Sequence, residues 1–422
     1  MANGKKNAVD LQPNNPILLS KKIIIVSQSH LCRNPRVHKE AVLLASAGYD
    51  VTILTAIYSE KLLLQDMLLL AGTNISYEFY SDLTVNNLAS LIDRTTRRLA
   101  VWAKRRFNIQ SKLAVGYGAI RLQQICVAYA ADLYIMHQDL PTIVGAQMAG
   151  KFKVAFDFED WYSEDIIPKV QSQRPIKLLK QAEKTALEKG VLCYTTSKAM
   201  ADGLASHYGT AKTPSVIYNS FPANEATLSI SQPQGPLRFY WFSQTIGEGR
   251  GLEFFIACMA KSKAKMQLVL RGNVVGAYQE SLKKLITEKD EILFLPLIDN
   301  HLLLADMANY DAGLALEPDT PPNKNLTISN KLFHYMAAGL PIIASYTKGQ
   351  AEIAEQHPEY IFMYPQNDTT AVANILDTLG EKFAGGGFAQ LKEAILANYN
   401  RKYSWNLEAK KLLKLVEGVF NA

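Results

Sequence analysis

The sequence predicts an α/β protein made of two parallel-sheet domains that face each other across a cleft. Three observations lead there. Short apolar, strand-like runs alternate with helical patterns along nearly the whole chain, and such alternation gives parallel sheets covered on both faces. The alternation breaks once, from Ser220 to Pro236, where Ser, Pro, Asn and Gln predominate and no periodicity is sustained. The 422 residues suffice for two domains and a large buried core.

In chain order, Lys22–Ser27 reads as a buried strand, Pro35–Ala47 as a helix and Asp50–Thr55 as a strand. Ile75–Tyr80, Leu133–His137, Val154–Asp157, Val191–Tyr194 and Ser215–Tyr218 are further strands, with helices such as Ile176–Lys189 and Lys198–His207 between them. After the break, strands are expected at Leu237–Phe242, Met266–Leu270, Glu291–Leu295, Asp311–Leu316 and Pro341–Ala344. A ligand is expected between the domains, outside the carboxyl ends of the strands. Gly385, Gly386 and Gly387 separate two terminal helices, the last from about Trp405 to Phe420.

The formal charge of +6 and isoelectric point near 8.8 are only mildly basic, too little to indicate nucleic acid as a partner. Cys32, Cys126, Cys193 and Cys258 lie far apart, without a C-x-x-C pair or a His/Cys group of zinc spacing. They read as reduced thiols of a cytosolic enzyme, and no metal is implied. Residues 1–20 are polar, include Pro13 and Pro16, lack the apolar core of a signal peptide and read as a disordered lead-in. No apolar run approaches the ~20 residues that span a bilayer, so any membrane contact is expected to be peripheral.

One helix has an unusual composition. Between Asn87 and Phe107, Leu88, Leu91, Ile92, Thr95, Leu99 and Trp102 share one stripe, and Arg94, Arg97, Arg98, Lys104, Arg105 and Arg106 supply a basic face. Such a helix either lies on anionic lipid or turns its stripe to the core with a solvated basic face.

Two segments place a cation where a helix N-terminus already carries positive potential. In Ile328–Ile343 a helix opens at Ser329, has Lys331 in its first turn, closes at Gly339 and runs into a strand after Pro341. In Tyr240–Glu253 a strand and a glycine-bearing loop lead to a helix headed by Arg250. Either these cations point to solvent or they share a strongly negative ligand such as a diphosphate.

These segments resemble those of the family 4 glycosyltransferases of the GT-B fold, the retaining, nucleotide-sugar-dependent class that builds bacterial surface polysaccharides. The resemblance runs from Lys22 to Phe420 and is most specific at Asn330-Lys-Leu-Phe-His-Tyr-Met-Ala-Ala-Gly-Leu-Pro341. It extends to Arg33–Leu54, Asp132–His137, Phe156–Asp165 and Val216–Pro222. It implies an acceptor-side Rossmann-like domain at 21–220, a linker at 221–236, a nucleotide-sugar domain at 237–402 and a terminal helix at 403–422 that packs back on the first domain. It also implies a nucleotide-diphosphate-sugar donor, no cofactor and a saccharide or lipid-linked saccharide acceptor. With lipid-linked acceptors, the basic helix is expected on anionic membrane, through Arg94, Arg97, Arg98, Trp102 and Arg105, on the cytoplasmic face of the cell membrane.

The chain departs from the family at two glutamates, whose places fall at Leu326 and His334. A carboxylate there accepts two ribose hydroxyls; a neutral His334 accepts one. Glu317, at the end of a strand, is either its substitute or a solvated loop carboxylate.

Transfer from a nucleotide sugar needs its leaving diphosphate stabilised, and preorganised cations with a helix N-terminus can do that without a metal. Arg250, Lys331 and the backbone after Ser329 take this role. Asn330, Gln244, Thr245 and Gly272 are further donor contacts, and Arg271 is either one more or a loop cation. In the first domain, Glu159 and Asp160 are expected to position sugar or acceptor, and His137 either to bond sugar hydroxyls or to be structural. Arg36 would hold an acceptor phosphate or pair with the acidic cluster. The competing functions are a non-catalytic sugar-nucleotide-binding protein or partner subunit, which the missing glutamates favour, and a sugar-nucleotide epimerase, which the basic helix argues against.

Overall fold

The computed structural model describes residues 20–165, 172–224, 235–386 and 388–421. The lead-in up to residue 19 and most of the expected linker, 225–234, lie outside them. The first sheet holds seven strands: β1 (Lys22–Val26), β2 (Asp50–Ile57), β3 (Ser76–Asp82), β4 (Leu133–His137), β5 (Val154–Phe158), β6 (Leu192–Thr195) and β7 (Ser215–Val216). The second holds six: β8 (Leu237–Ile246), β9 (Met266–Val274), β10 (Glu291–Leu295), β11 (Ala312–Ala315), β12 (Ile342–Ser345) and β13 (Ile361–Tyr364).

Every ladder in both sheets is parallel, with orders β3-β2-β1-β4-β5-β6-β7 and β10-β9-β8-β11-β12-β13. The order reverses beside the first strand of each sheet, between β1 and β4 and between β8 and β11, which opens a crevice at their carboxyl ends. This is the two-domain α/β fold that the alternation predicts.

Alternate residues of β1 feed different cores, as the two-residue strand period requires. Ile24 and Val26 pack with the helices Ala119–Tyr129 and Asp139–Met148. Ile23 and Ile25 pack with the helix Pro35–Ser46 and with Leu412, Val416 and Val419 of the last helix, Trp405–Asn421. That last helix therefore follows the second domain in sequence and rests on the first in space. Strand β8 continues four residues past the expected end at Phe242, because a register shift between Phe242 and Thr245 lets it stay paired with β9. Strand β13 was not expected: Ile361-Phe-Met-Tyr364 is too short for its period to separate strand from helix.

The chain crosses between domains at Asn219–Asn224 and again near Ser404. Tyr399 donates its hydroxyl to the Phe221 carbonyl at 2.7 Å and accepts the Phe221 N–H at 2.8 Å. The Trp405 N–H reaches the same carbonyl at 2.7 Å. From the first domain, Lys39 donates to Asn219 and to the Ser220 carbonyl, with its ammonium over the Phe221 and Trp405 rings.

Candidate active site in the interdomain cleft

A pocket of about 360 Å³ lies between the domains at the strand ends. The second domain contributes Arg250, Lys331, Lys324 and Glu317, and the first contributes Glu159 and Asp160. The helix Asn330–Ala337 turns its N-terminus into it, and closes beyond Ala338 with Gly339 at φ 69°, a left-handed turn that glycine adopts freely. Ser329 precedes that helix, but its hydroxyl does not cap it; it donates to Glu317 Oε1 at 2.8 Å. The first-turn N–H groups are thus left without the side-chain acceptor expected at an N-cap.

Lys331 does not point to solvent. Its ammonium lies 2.9 Å from Glu317 Oε1 and 5.6 Å from the Trp241 ring centre. Burial would raise the Glu317 carboxyl, but the charge and hydrogen bond of Lys331, with help from Ser329, hold it below its ordinary value. Glu317 is therefore not a solvated loop carboxylate: it lines the pocket and is the counter-ion of Lys331 through Oε1. Arg250 is exposed in the loop before the helix Leu252–Lys261 and, among the described residues, makes no ion pair. Lys324, which sequence reasoning missed, lines the same pocket from the short helix Pro322–Leu326. Its only signal is a further cation in the polar run before Ser329.

Behind Glu159 stands a buried charged network. His137 is fully buried; its Nδ1 is 2.6 Å from Glu159 Oε1 and its Nε2 3.1 Å from Glu40 Oε2. Burial opposes its charge, yet Glu40, Glu159 and Asp157 outweigh that and push its pKa up to about 10. His137 is thus an imidazolium that stands behind Glu159, which is the structural one of its two expected roles. Asn34 Nδ2 also donates to both Glu159 oxygens, at 2.8 and 3.1 Å. Arg36 takes the second of its two expected roles: it is buried, ion-paired with Asp157, and donates to the Ile217 carbonyl at 2.9 Å. Glu40, His137 and Asp157 have ligand atoms within 4.8 Å of one another. Arg36 and Tyr194 flank those atoms, and the Tyr194 hydroxyl donates to Glu40 Oε2 at 2.8 Å, while among the described residues Glu40 Oε1 and His137 Nε2 have ion-pair neighbours but no hydrogen bond.

Asp160 faces the pocket with one oxygen held by Asn323, whose Nδ2 donates to Oδ1 at 2.8 Å. Burial raises its carboxyl, with Asp165 adding to the effect.

A second pocket, about 610 Å³, adjoins the first and shares Asn219, Phe242, Ser243 and Asn330 with it. Its walls include His334, Phe221, Leu297 and Ile298, with Gln244 at its edge. The His334 ring centre lies 3.5 Å from that of Phe221 and 5.1 Å from that of Phe242. His334 Nδ1 lies 2.9 Å from the Asn330 carbonyl, which can only accept, so this nitrogen carries the proton. Burial drives its pKa down to about 3, so Nε2 stays an acceptor. Thr245 is exposed on β8. Gly272 lets β9 pass β8 closely, since an added Cβ would stand 2.3 Å from the Ser243 carbonyl oxygen. Arg271 is not a loop cation, and it lines this second pocket. It lies within β9, mostly buried, and donates to Asp306 at 2.7 and 2.8 Å, to Tyr240 at 2.8 Å and to the Pro296 carbonyl at 2.8 Å.

The basic helix, Leu88–Phe107, lies apart from the cleft pockets and turns its apolar stripe outward: Leu88, Leu91, Ile92, Leu99 and Trp102 are all exposed. Its inward residues are polar. Asp93 accepts from Ser81 at 2.6 Å and pairs with Arg121, and Arg94 donates to the Leu83 carbonyl at 2.7 Å. Arg97 stacks on Tyr117, while Arg98, Arg105 and Arg106 are exposed. The core-facing alternative is thereby removed. Among the described residues, no helix is long and apolar enough to cross a membrane.

Residues 238–382 match the family model described as Glycosyl transferases group 1. None of the curated proteins matches the chain. Sucrose-phosphate synthase from Thermosynechococcus elongatus superposes with a TM-score of 0.66 at 16% identity, over 95% of this chain and 99% of that one. HepE from Anabaena, solved with UDP and glucose, gives 0.64 at 16%, over 94% and 100%. WaaG, a glycosyltransferase involved in lipopolysaccharide biosynthesis, gives 0.56 at 11%, over 92% and 98%. The fold is GT-B, and the match to the group 1 glycosyl transferases falls within the second domain.

Proposed function

We propose that the protein is a retaining glycosyltransferase of the family 4 type, which moves a sugar from a nucleotide-diphosphate donor to a saccharide or lipid-linked saccharide acceptor without a metal. One observation carries the reading: Arg250, Lys331 and Lys324 gather around an uncapped helix N-terminus, opposite Glu159 and Asp160 of the other domain. Cations and backbone N–H groups stabilise the charge that develops on a leaving diphosphate. The adjoining apolar pocket has room for the nucleoside, with His334 Nε2 as an acceptor for one ribose hydroxyl. In the reaction the bond from the anomeric carbon to the phosphate oxygen breaks. The acceptor oxygen bonds to the same face of that carbon, and its proton passes to the departing phosphate oxygen. Glu159, held from behind by His137 and Asn34, and Asp160 orient the sugar and acceptor hydroxyls.

The outward stripe of Leu88–Phe107 with Arg98, Arg105 and Arg106 supports a peripheral site on the anionic, cytoplasmic face of a bacterial membrane, where lipid-linked acceptors lie. The UDP and glucose of the HepE structure and the lipopolysaccharide role of WaaG support a UDP-sugar donor and a surface-polysaccharide acceptor. A thermal-shift screen over nucleotide sugars, led by UDP-glucose, tests the donor, since a ligand raises apparent stability by mass action. Transfer is then followed by mass spectrometry in excess chelator, with the product anomer read by NMR. Loss of activity with chelator and recovery with magnesium or manganese would overturn the metal-free mechanism. The second reading, a non-catalytic sugar-nucleotide-binding protein, is favoured by the Glu317–Lys331 pair that already neutralises one cation; it expects a thermal shift without turnover.

A further inference from the structure

We infer that Asn323 of the second domain is a positioning residue for Asp160 of the first, so that the pocket's acidic wall is complete only when the two domains are in contact. The inference rests on the transfer reading, in which Asp160 meets the sugar or acceptor.

Asn323 is fully buried, although it sits at the start of a five-residue helix, Pro322–Leu326. Both ends of its amide are used across the domain boundary. Oδ1 accepts the Trp161 N–H at 2.8 Å, and Nδ2 donates to Asp160 Oδ1 at 2.8 Å. The orientation is not interchangeable: a backbone N–H can only donate, so the amide oxygen must face Trp161 and the NH₂ must face the carboxylate. Thr327 holds the amide from its own side, with its hydroxyl 3.2 Å from Oδ1 and bonded to the Asn323 carbonyl. Among the described residues, this is the hydrogen bond that the Asp160 carboxylate has.

The neighbouring contacts hold the same boundary. Leu326 inserts beside Trp161 at Gly203, where an added Cβ would stand 2.9 Å from Leu326 Cδ1 and 3.4 Å from the Trp161 ring. The Leu326 carbonyl accepts from Ser197 Oγ at 2.6 Å. Glu352 accepts the first N–H groups of the helix Lys198–Tyr208, from Lys198 at 2.7 Å and Ala199 at 3.2 Å. Asn323 therefore stands in a packed seam, and its reach to Asp160 is set by how closely the domains approach.

The consequence for Asp160 is directional. With Oδ1 engaged, Oδ2 is the oxygen left for a ligand hydroxyl. Burial, Asp165 and Glu159 favour the protonated carboxyl; the Asn323 amide and Lys324 oppose them. Removing the amide frees the carboxylate to rotate, and leaves it protonated to higher pH than in the wild type.

The test uses the full-length chain with Asn323→Ala, Asn323→Asp and Leu326→Ala. For Asn323→Ala, kcat is expected to fall roughly ten- to a hundredfold, the size of a lost hydrogen bond to a charged group. Affinity for UDP should stay within about twofold, because the cations are untouched, and the acid limb of the pH–rate profile should move to higher pH. Asn323→Asp sets two carboxyls together, so it should be slower still at neutral pH and recover partly at acid pH, where one proton is shared. Leu326→Ala loosens the seam but keeps the amide; an equal loss with the same pH profile in both alanine variants would overturn a specific role for Asn323. A carbon-13 titration of the Asp160 carboxyl, assigned with Asp160→Asn, reads the same point without turnover. An unchanged titration in Asn323→Ala sinks the inference, whereas a wild type that binds UDP-sugars but transfers nothing sinks the transfer reading.

Discussion

At the scale of single residues, the cations at helix starts were legible because they violate a local rule. Arg250 and Lys331 stand where the helix dipole disfavours them, and both line the cleft pocket. Arg250→Ala and Lys331→Ala should each lower kcat about 30- to 1000-fold without unfolding the chain, for contacts worth ~2–4 kcal/mol in the transition state. Lys331→Arg should not restore it fully, because a planar fork replaces a point charge beside Glu317. Steady-state kinetics on the matched donor checks this, and near-wild-type rates in both alanine variants would remove the assignment. Residues whose roles depend on distant partners were not legible. Arg271 is defined by Asp306, His137 by Glu40 and Glu159, and Asn323 by Asp160; none of these pairings leaves a mark in local pattern. His334 lies between the two cases. Its position was legible and its protonation was not, since burial and the Asn330 carbonyl set it. With a pKa near 3 the ring stays neutral, so ribonucleotide affinity should not change between pH 7 and 5 as it would for a free imidazole titrating near 6.5. His334→Glu should raise the preference for a ribonucleotide over its deoxy analogue; calorimetry with both nucleotides, at two pH values, tests both statements.

At the scale of elements, most strands were legible because buried parallel strands are apolar runs bounded by turn residues. The helix Leu88–Phe107 shows where that legibility stops. Periodicity revealed its stripe, but a stripe has no address. What turns it outward is the opposite face, where Asp93 is anchored to Ser81 and Arg121, and Arg94 to the Leu83 carbonyl. The resulting surface joins apolar side chains to exposed arginines, and it predicts binding to vesicles of anionic lipid that weakens as salt rises. Neutralising Arg98, Arg105 and Arg106 together should lower the affinity by about two orders of magnitude, at ~1 kcal/mol for each cation near the surface. Trp102→Ala should weaken the part of binding that salt does not screen. Sedimentation that is indifferent to anionic lipid would reduce the helix to a solvated face.

At the scale of the whole molecule, the last helix rests on the domain that it does not follow in sequence. Leu412, Val416 and Val419 complete the core around β1, on the domain that the chain left at Asn219. Removing Trp405–Asn421 should uncover that core, at ~1.5–3 kcal/mol for each large apolar side chain. The truncated protein is expected to bind a hydrophobic dye and to melt earlier, the first domain before the second. A single unchanged calorimetric transition would contradict this.

The return of the last helix also ties the two halves together. Both passages of the chain meet at one backbone unit, because the Phe221 carbonyl accepts from Tyr399 and from the Trp405 N–H. The halves also touch through Asn323, Leu326 and Glu352, so this crossing is one of several ties between them. The tie between Asn323 and Asp160 ends on a carboxylate that lines the cleft pocket itself. The molecule is thus stitched at the crossing and buttoned at the cleft: one peptide group gathers the two passages of the chain, and one amide fastens the acidic wall.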